Sequence, residues 1–364
     1  MTFVPRCVLV TGGAGFVGAC FVQTALERNP ALCVLNLDCL TYAGDQRRLA
    51  GLEQAGRAVD GRYAFIHANI NDRPMLAALL AGERPPSVQR RWAGGPPDAV
   101  VHLAAESHVD RSILEPDPFI ETNVLGTQAL LEACRSELQR RPRPFRFIHV
   151  STDEVLGDLE AGADPWREDA PLCPTNPYAA SKAAADLIVG AYVRSFGLPA
   201  IIARPTNVLG PWQFPEKLIP LMITRALAGR PLPIYGDGRQ TREWLHVQDL
   251  VDALLTLLGE GAPGETYHIG SGDERSNIEV VRALLRLLGR PDTLIRHVRD
   301  RPGHDRRYAL AADRIRTRTR WAPVHGFDEA LVHTVDWYQA NREWWSDRLA
   351  VAFDVADTVY LRDG

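Results

Sequence analysis

The sequence predicts a doubly wound α/β protein, a parallel sheet with helices on both faces, joined to a smaller C-terminal lobe. Three observations carry this expectation. Short, almost wholly apolar runs rich in β-branched residues alternate with longer helical stretches as far as Arg204. Such runs suit strands covered on both faces, whereas a half-solvated strand would alternate apolar and polar residues. A glycine-rich turn stands between the first run and the first helix. After Arg204, Pro and Gly punctuate shorter pieces, and no flexible linker precedes them, so the second lobe reads as fused to the first unit.

In chain order, Cys7–Val10 predicts the first strand and Gly18–Arg28 the first helix. Cys33–Leu37, Tyr63–Ile66, Ala99–Leu103, Phe145–Val150 and Ala200–Ala203 supply further strands. Right-handed crossovers make the doubly wound order the economical topology. Arg84–Pro97, rich in Pro, Arg and Gly, reads as a surface insertion. Beyond Arg204, turns at Gly210-Pro211, Pro231-Leu-Pro233 and Gly236-Asp-Gly238 flank helical stretches at Leu218–Ala228 and Asn277–Leu288. Between two such lobes a ligand cleft is the default expectation.

Composition closes off other classes. Of 364 residues, 46% are hydrophobic and 24% charged, enough apolar material for a sizeable core. The net charge of −4 offers no general attraction to nucleic acid or anionic lipid. The arginine-rich stretch Arg299–Arg320 lacks the interleaved aromatics of a nucleic-acid groove. No apolar run reaches the ~20 residues of a membrane span, and Met1–Leu9, with Pro5 and Arg6, does not read as a secretory signal. Cys7, Cys20, Cys33, Cys39, Cys134 and Cys173 form neither a C-x-x-C pair nor a zinc spacing, so reduced thiols in a cytoplasmic protein without a metal site are expected.

Thr11-Gly-Gly-Ala-Gly-Phe-Val-Gly18 directly follows the first strand and opens the first helix. Gly12, Gly15 and Gly18 permit a tight turn, close approach of a pyrophosphate and close helix–strand packing. The helix N-terminus attracts the phosphates. Asp38 ends the second strand 20 residues after Gly18. A carboxylate there accepts both ribose hydroxyls and repels a 2′-phosphate, which selects NAD over NADP and makes the first unit a Rossmann-type domain.

Tyr178-Ala-Ala-Ser-Lys182 places a phenol and an ammonium on one helix face. The ammonium is expected to lower the phenol pKa, letting Tyr178 take a proton from an alcohol undergoing oxidation. The fifth strand ends in Ser151-Thr152-Asp153-Glu154, at the edge where doubly wound sheets bind ligands. Oxidation alone has no step for two adjacent carboxyls; unlike environments would let one serve as acid and one as base. Alternatively, they are simply carboxylates favoured at a helix start.

The glycine fingerprint and Tyr-x-x-x-Lys pair resemble the extended short-chain dehydrogenase/reductases. With Ser151–Val155, Leu103-Ala-Ala-Glu-Ser-His-Val-Asp-Arg-Ser112, Thr41-Tyr-Ala-Gly44, Gln213-Phe-Pro-Glu-Lys-Leu-Ile-Pro220 and Arg301-Pro-Gly-His-Asp-Arg-Arg-Tyr308, the resemblance narrows to the dTDP-glucose 4,6-dehydratase family. It implies that Tyr178 takes the carbon-4 hydroxyl proton as hydride leaves carbon 4 for NAD, with Lys182 as tuner and Thr152 as hydrogen-bond partner. Glu154 then removes the carbon-5 proton, Asp153 protonates the departing carbon-6 hydroxyl, and the hydride returns to carbon 6. NAD, regenerated each turnover, should stay bound.

The same resemblance implies cofactor contacts from Gly12, Gly15, Phe16, Val17, Gly18, Asp38, Thr41, Asn69, Ile70, Leu103, Ala104, Ala105, Ser107, Thr122, Tyr178 and Lys182. It assigns the nucleotide sugar to His108, Thr152, Asn207, Lys217, Leu218, Pro233, Tyr235, Arg242, Asn277, Arg301 and His304. Residues 1–204 would then form the NAD-binding domain carrying the catalytic groups. Residues 205–364 would mainly form the nucleotide-sugar lobe, with some segments returning to the first domain.

Leu156 stands where that family has Tyr, Val208-Leu209 where it has Asn-Tyr, Asn69 for an Asp and Cys39 for a Lys. These changes are expected to alter polarity around the sugar or nicotinamide, leaving the nucleotide and hexose open. A homodimer through helices over Phe119–Cys134 and Ala179–Val193 is also implied. A 4-epimerase or decarboxylase would share Tyr178 and Lys182, but an epimerase has no step for Asp153 and Glu154. A catalytically silent NAD-bound protein is a further alternative.

Overall fold

The computed structural model describes residues 2–53, 61–85, 88 and 92–349. Part of the Arg84–Pro97 insertion, residues 86, 87 and 89–91, lies outside the described residues. The first unit comprises β1 (Cys7–Thr11), α1 (Phe16–Arg28), β2 (Cys33–Asp38), β3 (Tyr63–His67), α2 (Arg73–Ala81), β4 (Ala99–His102), α3 (Val109–Leu114), α4 (Thr127–Arg140), β5 (Arg146–Val150), α5 (Pro177–Phe196) and β6 (Ala200–Pro205). The remainder contains β7 (Asn207–Leu209), α6 (Leu218–Leu227), β8 (Leu232–Tyr235), β9 (Thr241–His246), α7 (Val247–Glu260), β10 (Thr266–Ile269), β11 (Glu274–Ser276), α8 (Asn277–Leu287), β12 (Ile295–Val298), α9 (Asp313–Thr319), α10 (Phe327–Ala340) and α11 (Arg342–Ser346).

Seven parallel strands form the central sheet in the order β10-β6-β5-β4-β1-β2-β3. Chain direction across the sheet reverses between β1 and β4, and a ligand crevice belongs beyond the carboxyl ends there. Thr11 pairs with both Leu37 and His102, so the three strand ends that border this point are level.

The two sheet faces explain the apolar runs. Val8 and Val10 pack with Phe21 and Val22 of α1 and with Leu250 and Leu254 of α7. Leu9, between them, packs on the opposite face with Leu76 and Leu79 of α2, Leu130 of α4 and Val189 of α5. A separate core joins α6, α8, α10 and α11 through Met222, Leu284, Val335 and Trp344.

Two features depart from the expected elements. The seventh strand, β10, and α7 against α1 come from beyond Arg204, so Thr266–Ile269 joins the central sheet and Val247–Glu260 packs on its face. Thr266–Ile269 is short and flanked by Gly264 and Gly270, too little apolar pattern to separate from lobe structure. The helix expected over Phe119–Cys134 runs unbroken from Asp117 to Arg140, but its Ile120–Gly126 stretch, just before α4, is π-type rather than α. Its wider turn carries Thr122 and Asn123 towards the cleft, a recurrent use of π-bulges.

Candidate active site

The crevice begins at the glycine turn. Gly12 holds φ +72°, and a Cβ there would stand 2.6 Å from the Ala104 nitrogen. A Cβ on Gly18 would stand 2.2 Å from the Gly12 carbonyl, so α1 sits closer to the turn than any other residue allows. Gly15 is the N-cap of α1 and makes no side-chain cap, which leaves first-turn N–H groups open to an anion. The Asp38 carboxylate is buried; Oδ2 accepts from Ala14 N (2.9 Å) and Oδ1 from Leu40 N (2.8 Å). Burial raises its pKa, while these backbone donors oppose the rise.

Gly12, Gly15, Phe16, Val17, Gly18, Leu103, Ala105, Ser107, Tyr178 and Lys182 line one cavity. Asp38, Thr41, Asn69, Ile70, Ala104 and Thr122 line its extension past β2. These surroundings fit a dinucleotide: a glycine cradle and open helix end for the pyrophosphate, and a carboxylate at the β2 end for a ribose. Asn123 fixes the wall between them. Its amide donates to Glu106 O (2.9 Å) and Ser181 Oγ (2.8 Å), and its Oδ1 accepts from Glu106 N (3.0 Å). Sequence reasoning did not single it out, because nothing in the pattern signals the π-type turn.

The chemical groups meet where β5 ends and α5 begins. Asn176 caps α5 by accepting from Ala179 N (2.9 Å), and Pro177 opens the helix with Tyr178 next in line. Thr152 caps the short turn Asp153–Leu156 and donates to Asp153 Oδ1 (3.1 Å). Lys182 is buried and donates to Val150 O (2.8 Å).

Burial, reinforced by the Glu154 charge, pushes Asp153 up to about 8. Glu154 is also raised by burial, but Arg301, Arg242 and Lys217 counter the rise. Asp153 therefore holds a proton at neutral pH more readily than its neighbour, and neither Asp153 Oδ2 nor Glu154 Oε2 has a protein partner. Burial drives Lys182 down to about 8 against the opposing Asp186 carboxylate. For Tyr178, the expected lowering is outweighed: burial and the Glu154 carboxylate raise its pKa, and the Thr152 hydrogen bond counters only part of this. The phenol is thus protonated at neutral pH.

The neighbouring cavity is lined by His108, Asn207, Lys217, Leu218, Pro233, Tyr235, Arg242, Asn277, Arg301 and His304. Glu154 and Lys217 line both cavities, and Thr152 faces the cofactor side. Arg242 donates to Thr241 O (2.8 Å) and Asp305 O (3.0 Å), with its guanidinium 4.2 Å from the Tyr308 ring centroid. Arg301 bonds Asp110 at 3.2 Å, and His304 meets Asp300 at 2.6 Å. Burial takes His304 down to about 4. Gly303 holds φ +62°, and a Cβ there would stand 2.7 Å from Thr175 O, so the Arg301–Tyr308 turn packs directly on the approach to α5.

Several residues outside the expected set shape the cleft. Glu216 accepts from Tyr42 OH (3.0 Å), and Arg111 stacks 3.9 Å from the Tyr42 ring centroid. Tyr42 and Glu216 each adjoin a singled-out residue, Thr41 and Lys217, which was the available signal.

The substitutions expected to change polarity near the sugar fall mostly elsewhere. Leu156 packs with Ala183 and Leu310 in a small core, and Leu209 lies in the second-lobe core. Only Val208 of the three lines a cavity, on the cofactor side.

A family profile described as GDP-mannose 4,6 dehydratase matches residues 9–334. The chain is 47% identical over 359 residues to a protein of Neisseria meningitidis named dTDP-glucose 4,6-dehydratase, covering 94% of this chain and 96% of that one. A crystal structure of a dTDP-glucose 4,6-dehydratase from Streptomyces venezuelae, with NAD and a second ligand bound, has a TM-score of 0.84 at 44% identity, covering 94% of this chain and 99% of that chain. A Thermus thermophilus UDP-glucose 4-epimerase in complex with NAD has a TM-score of 0.78 at 28% identity, covering 92% and 99% respectively.

Proposed function

The chain belongs to the GDP-mannose 4,6-dehydratase family, and from its likeness to dTDP-glucose 4,6-dehydratases within it we propose that it is a hydro-lyase, a dTDP-glucose 4,6-dehydratase acting with NAD. The observation that carries the reading is the unlike carboxyl pair Asp153 and Glu154, lining the cofactor cavity with Tyr178 and Lys182, with Glu154 also lining the neighbouring cavity. NAD, when bound, supplies the reversible hydride acceptor that oxidation at carbon 4 and reduction at carbon 6 both require. In this reading residues 1–204 mainly hold the cofactor and the catalytic groups, and residues 205–364 mainly hold the nucleotide sugar.

Tyr178 takes the proton of the carbon-4 hydroxyl, with Thr152 and Lys182 setting its basicity. The resulting ketone acidifies carbon 5. Glu154, kept anionic by Arg301, Arg242 and Lys217, removes that proton. Asp153, neutral at working pH, donates its own to the departing carbon-6 hydroxyl, so water leaves. Arg242, Arg301 and Lys217 also suit the diphosphate of the substrate, through charge-assisted hydrogen bonds.

Turnover of dTDP-glucose in heavy water tests the assignment. The product should be a 4-keto-6-deoxy sugar carrying one deuterium at carbon 5, because Glu154 exposes that position to exchange. A carbon-4 epimer with carbon 5 unlabelled would overturn it. Comparing turnover of the dTDP, UDP, CDP and GDP sugars fixes the nucleotide.

A homodimer belongs to the same reading. Leu114, Ile120, Leu125, Leu187 and Phe196 are large apolar side chains 46–61% exposed, on α3, the π-type stretch and α5, where a four-helix contact would bury them. Light scattering should give twice the chain mass, and Leu187→Asp should return it to one chain. The setting is cytoplasmic, in keeping with six unpaired cysteines. Among the described residues no helix is long and apolar enough to cross a membrane.

A further inference from the structure

Arg48 lies just past the Thr41–Gly44 turn and is 3% exposed, yet among the described residues its guanidinium hydrogen-bonds no carboxylate. It donates instead to three backbone carbonyls: Ala14 O at 2.7 Å, Ala43 O at 2.7 Å and Trp212 O at 2.9 and 3.1 Å. The three carbonyls come from three different segments around the cofactor cavity, of which Ala43 lines it directly. Ala14 sits inside the glycine turn, and its N–H is the one that Asp38 accepts. Ala43 lies in the turn after Asp38, and Trp212 lies in the turn that leads to Lys217 in the second lobe. Arg48 and Ala43 themselves line the cavity together with Gly12, Gly15 and Gly18.

The far side of this joint is made by the C-terminal helices. Trp212 holds φ +70°, a strained conformation for a non-glycine residue that persists only where surroundings impose it. The surroundings are Trp337 and Trp344, with ring centroids 4.8 and 5.2 Å from that of Trp212. Trp344 also lies 5.3 Å from the Arg48 guanidinium and donates from its indole nitrogen to Asp45 Oδ2 (2.7 Å), which Arg348 bonds as well. Asp45 and Asp38 counter the buried charge in part, while the hydrogen bonds of the guanidinium all go to carbonyls beside the anion-binding turn, which leaves its charge available to an anion in the cavity.

We propose that Arg48, locked by Asp45, Trp212 and Trp344, is the positioning residue of a clamp that retains the dinucleotide between turnovers. It ties the pyrophosphate turn, the ribose-side turn and the second lobe together and sets a positive charge next to the diphosphate. The inference rests on the cofactor reading above.

The test compares wild type with Arg48→Met, Arg48→Lys and Trp344→Phe, reading NAD content after gel filtration, NAD release into excess fluorescent analogue, and thermal midpoints with and without NAD. Arg48→Met should release NAD about ten- to a hundredfold faster. Arg48→Lys should recover part of the loss through its charge, and Trp344→Phe, which keeps a ring but drops the Asp45 bond, should show a smaller increase. Loss of the clamp also shrinks the gain in thermal midpoint that a fixed NAD concentration confers. If Arg48→Met lowers the NAD-free and NAD-loaded midpoints equally and releases NAD at the wild-type rate, Arg48 is structural only and the inference falls. If wild type neither carries nor takes up NAD, the cofactor reading falls and takes the clamp with it.

Discussion

Around the glycine turn, the polar groups that meet the cavity are mostly backbone: the open N–H groups of α1 and the carbonyl-lined bends at Gly12 and Ala43. Asp38 and Arg48 are the charged side chains there, and both are themselves held by backbone groups. Around Arg301 the wall is made of ionisable side chains in contact: Arg301 with Asp110, a neutral His304 with the half-exposed Asp300, Arg242 under Tyr308, and Glu154 beside both arginines. A site made of backbone depends on conformation and tolerates little added volume. A site made of buried charges depends on proton occupancy and tolerates little change of sign. The two halves should therefore break in different ways.

The largest effect belongs to the charged half. Glu154→Gln keeps volume but removes the anion that three cations stabilise, so it should lower turnover by about 10²–10⁴-fold. Oxidation at carbon 4 would still proceed, and the absorbance of reduced nicotinamide should build up on adding substrate. Turnover at the wild-type rate would reduce Glu154 to a carboxylate at the start of a short turn.

In the backbone half the corresponding change is Gly18→Ala. Its methyl would lie 2.2 Å from the Gly12 carbonyl and 2.7 Å from the Gly13 Cα, neither of which belongs to a flexible side chain. Overpacking of about 1–3 kcal/mol translates into NAD affinity weaker by roughly ten- to a hundredfold. Calorimetric titration of NAD into the variant measures it, and an unchanged affinity would mean the turn yields more easily than its contacts indicate.

The same contrast decides what the sequence could reveal. The glycine turn, Asp38 and the Tyr178–Lys182 pair are legible because each depends on spacing within one strand–turn–helix unit, where periodicity and glycine placement carry the information. The nucleotide-sugar residues were legible only through family motifs, since Arg242, Arg301 and Asn207 have no local pattern that distinguishes them from surface residues. Arg48 stayed hidden because its partners are carbonyls of Ala14, Ala43 and Trp212, and carbonyls leave no mark on composition. β10 stayed hidden for a related reason: four residues after a helix look like lobe structure until they pair with β6. The rise of the Tyr178 pKa was also out of reach, as it comes from burial and a carboxylate contributed by another element.

A pH profile sharpens the comparison at the next level of magnitude. Asp153 must carry a proton to assist the leaving hydroxyl, and its pKa lies near 8, as does that of Lys182, whose charge the phenolate needs. Both groups lose function as pH rises, so turnover should fall above about pH 8, at least tenfold per unit once well past the midpoint. At the acid end, Glu154 must be ionised, and its raised pKa sets a limb at higher pH than a free carboxylate would give. Asp153→Asn should leave a shallower alkaline limb carried by Lys182 alone. NAD affinity, resting on backbone, should stay nearly flat over the same range. A parallel fall in NAD affinity would erase the distinction between the two halves.

The smallest expected effect concerns Leu156 and Val208, two of the positions where this chain departs from its family's aromatic and amide residues. Leu156 is 1% exposed and packs against Ala183 and Leu310, with Trp166 and Leu172 beside them. A tyrosine there must find room for a larger ring and a partner for a buried hydroxyl, at a cost of about 1–3 kcal/mol in stability. It does not face the sugar, so Leu156→Tyr should lower the denaturation midpoint while the KM values for competing nucleotide sugars keep their ratios. Val208 lines the cofactor cavity, and Val208→Asn introduces an amide where the wall is apolar. That variant should shift KM or kcat by only a few-fold, about 1 kcal/mol, and leave stability nearly unchanged. Reversal of the two outcomes, with selectivity moving in Leu156→Tyr and stability in Val208→Asn, would mean that the small core under Asp153 opens onto the sugar during turnover, and that the charged half of the cleft moves more than the backbone half does.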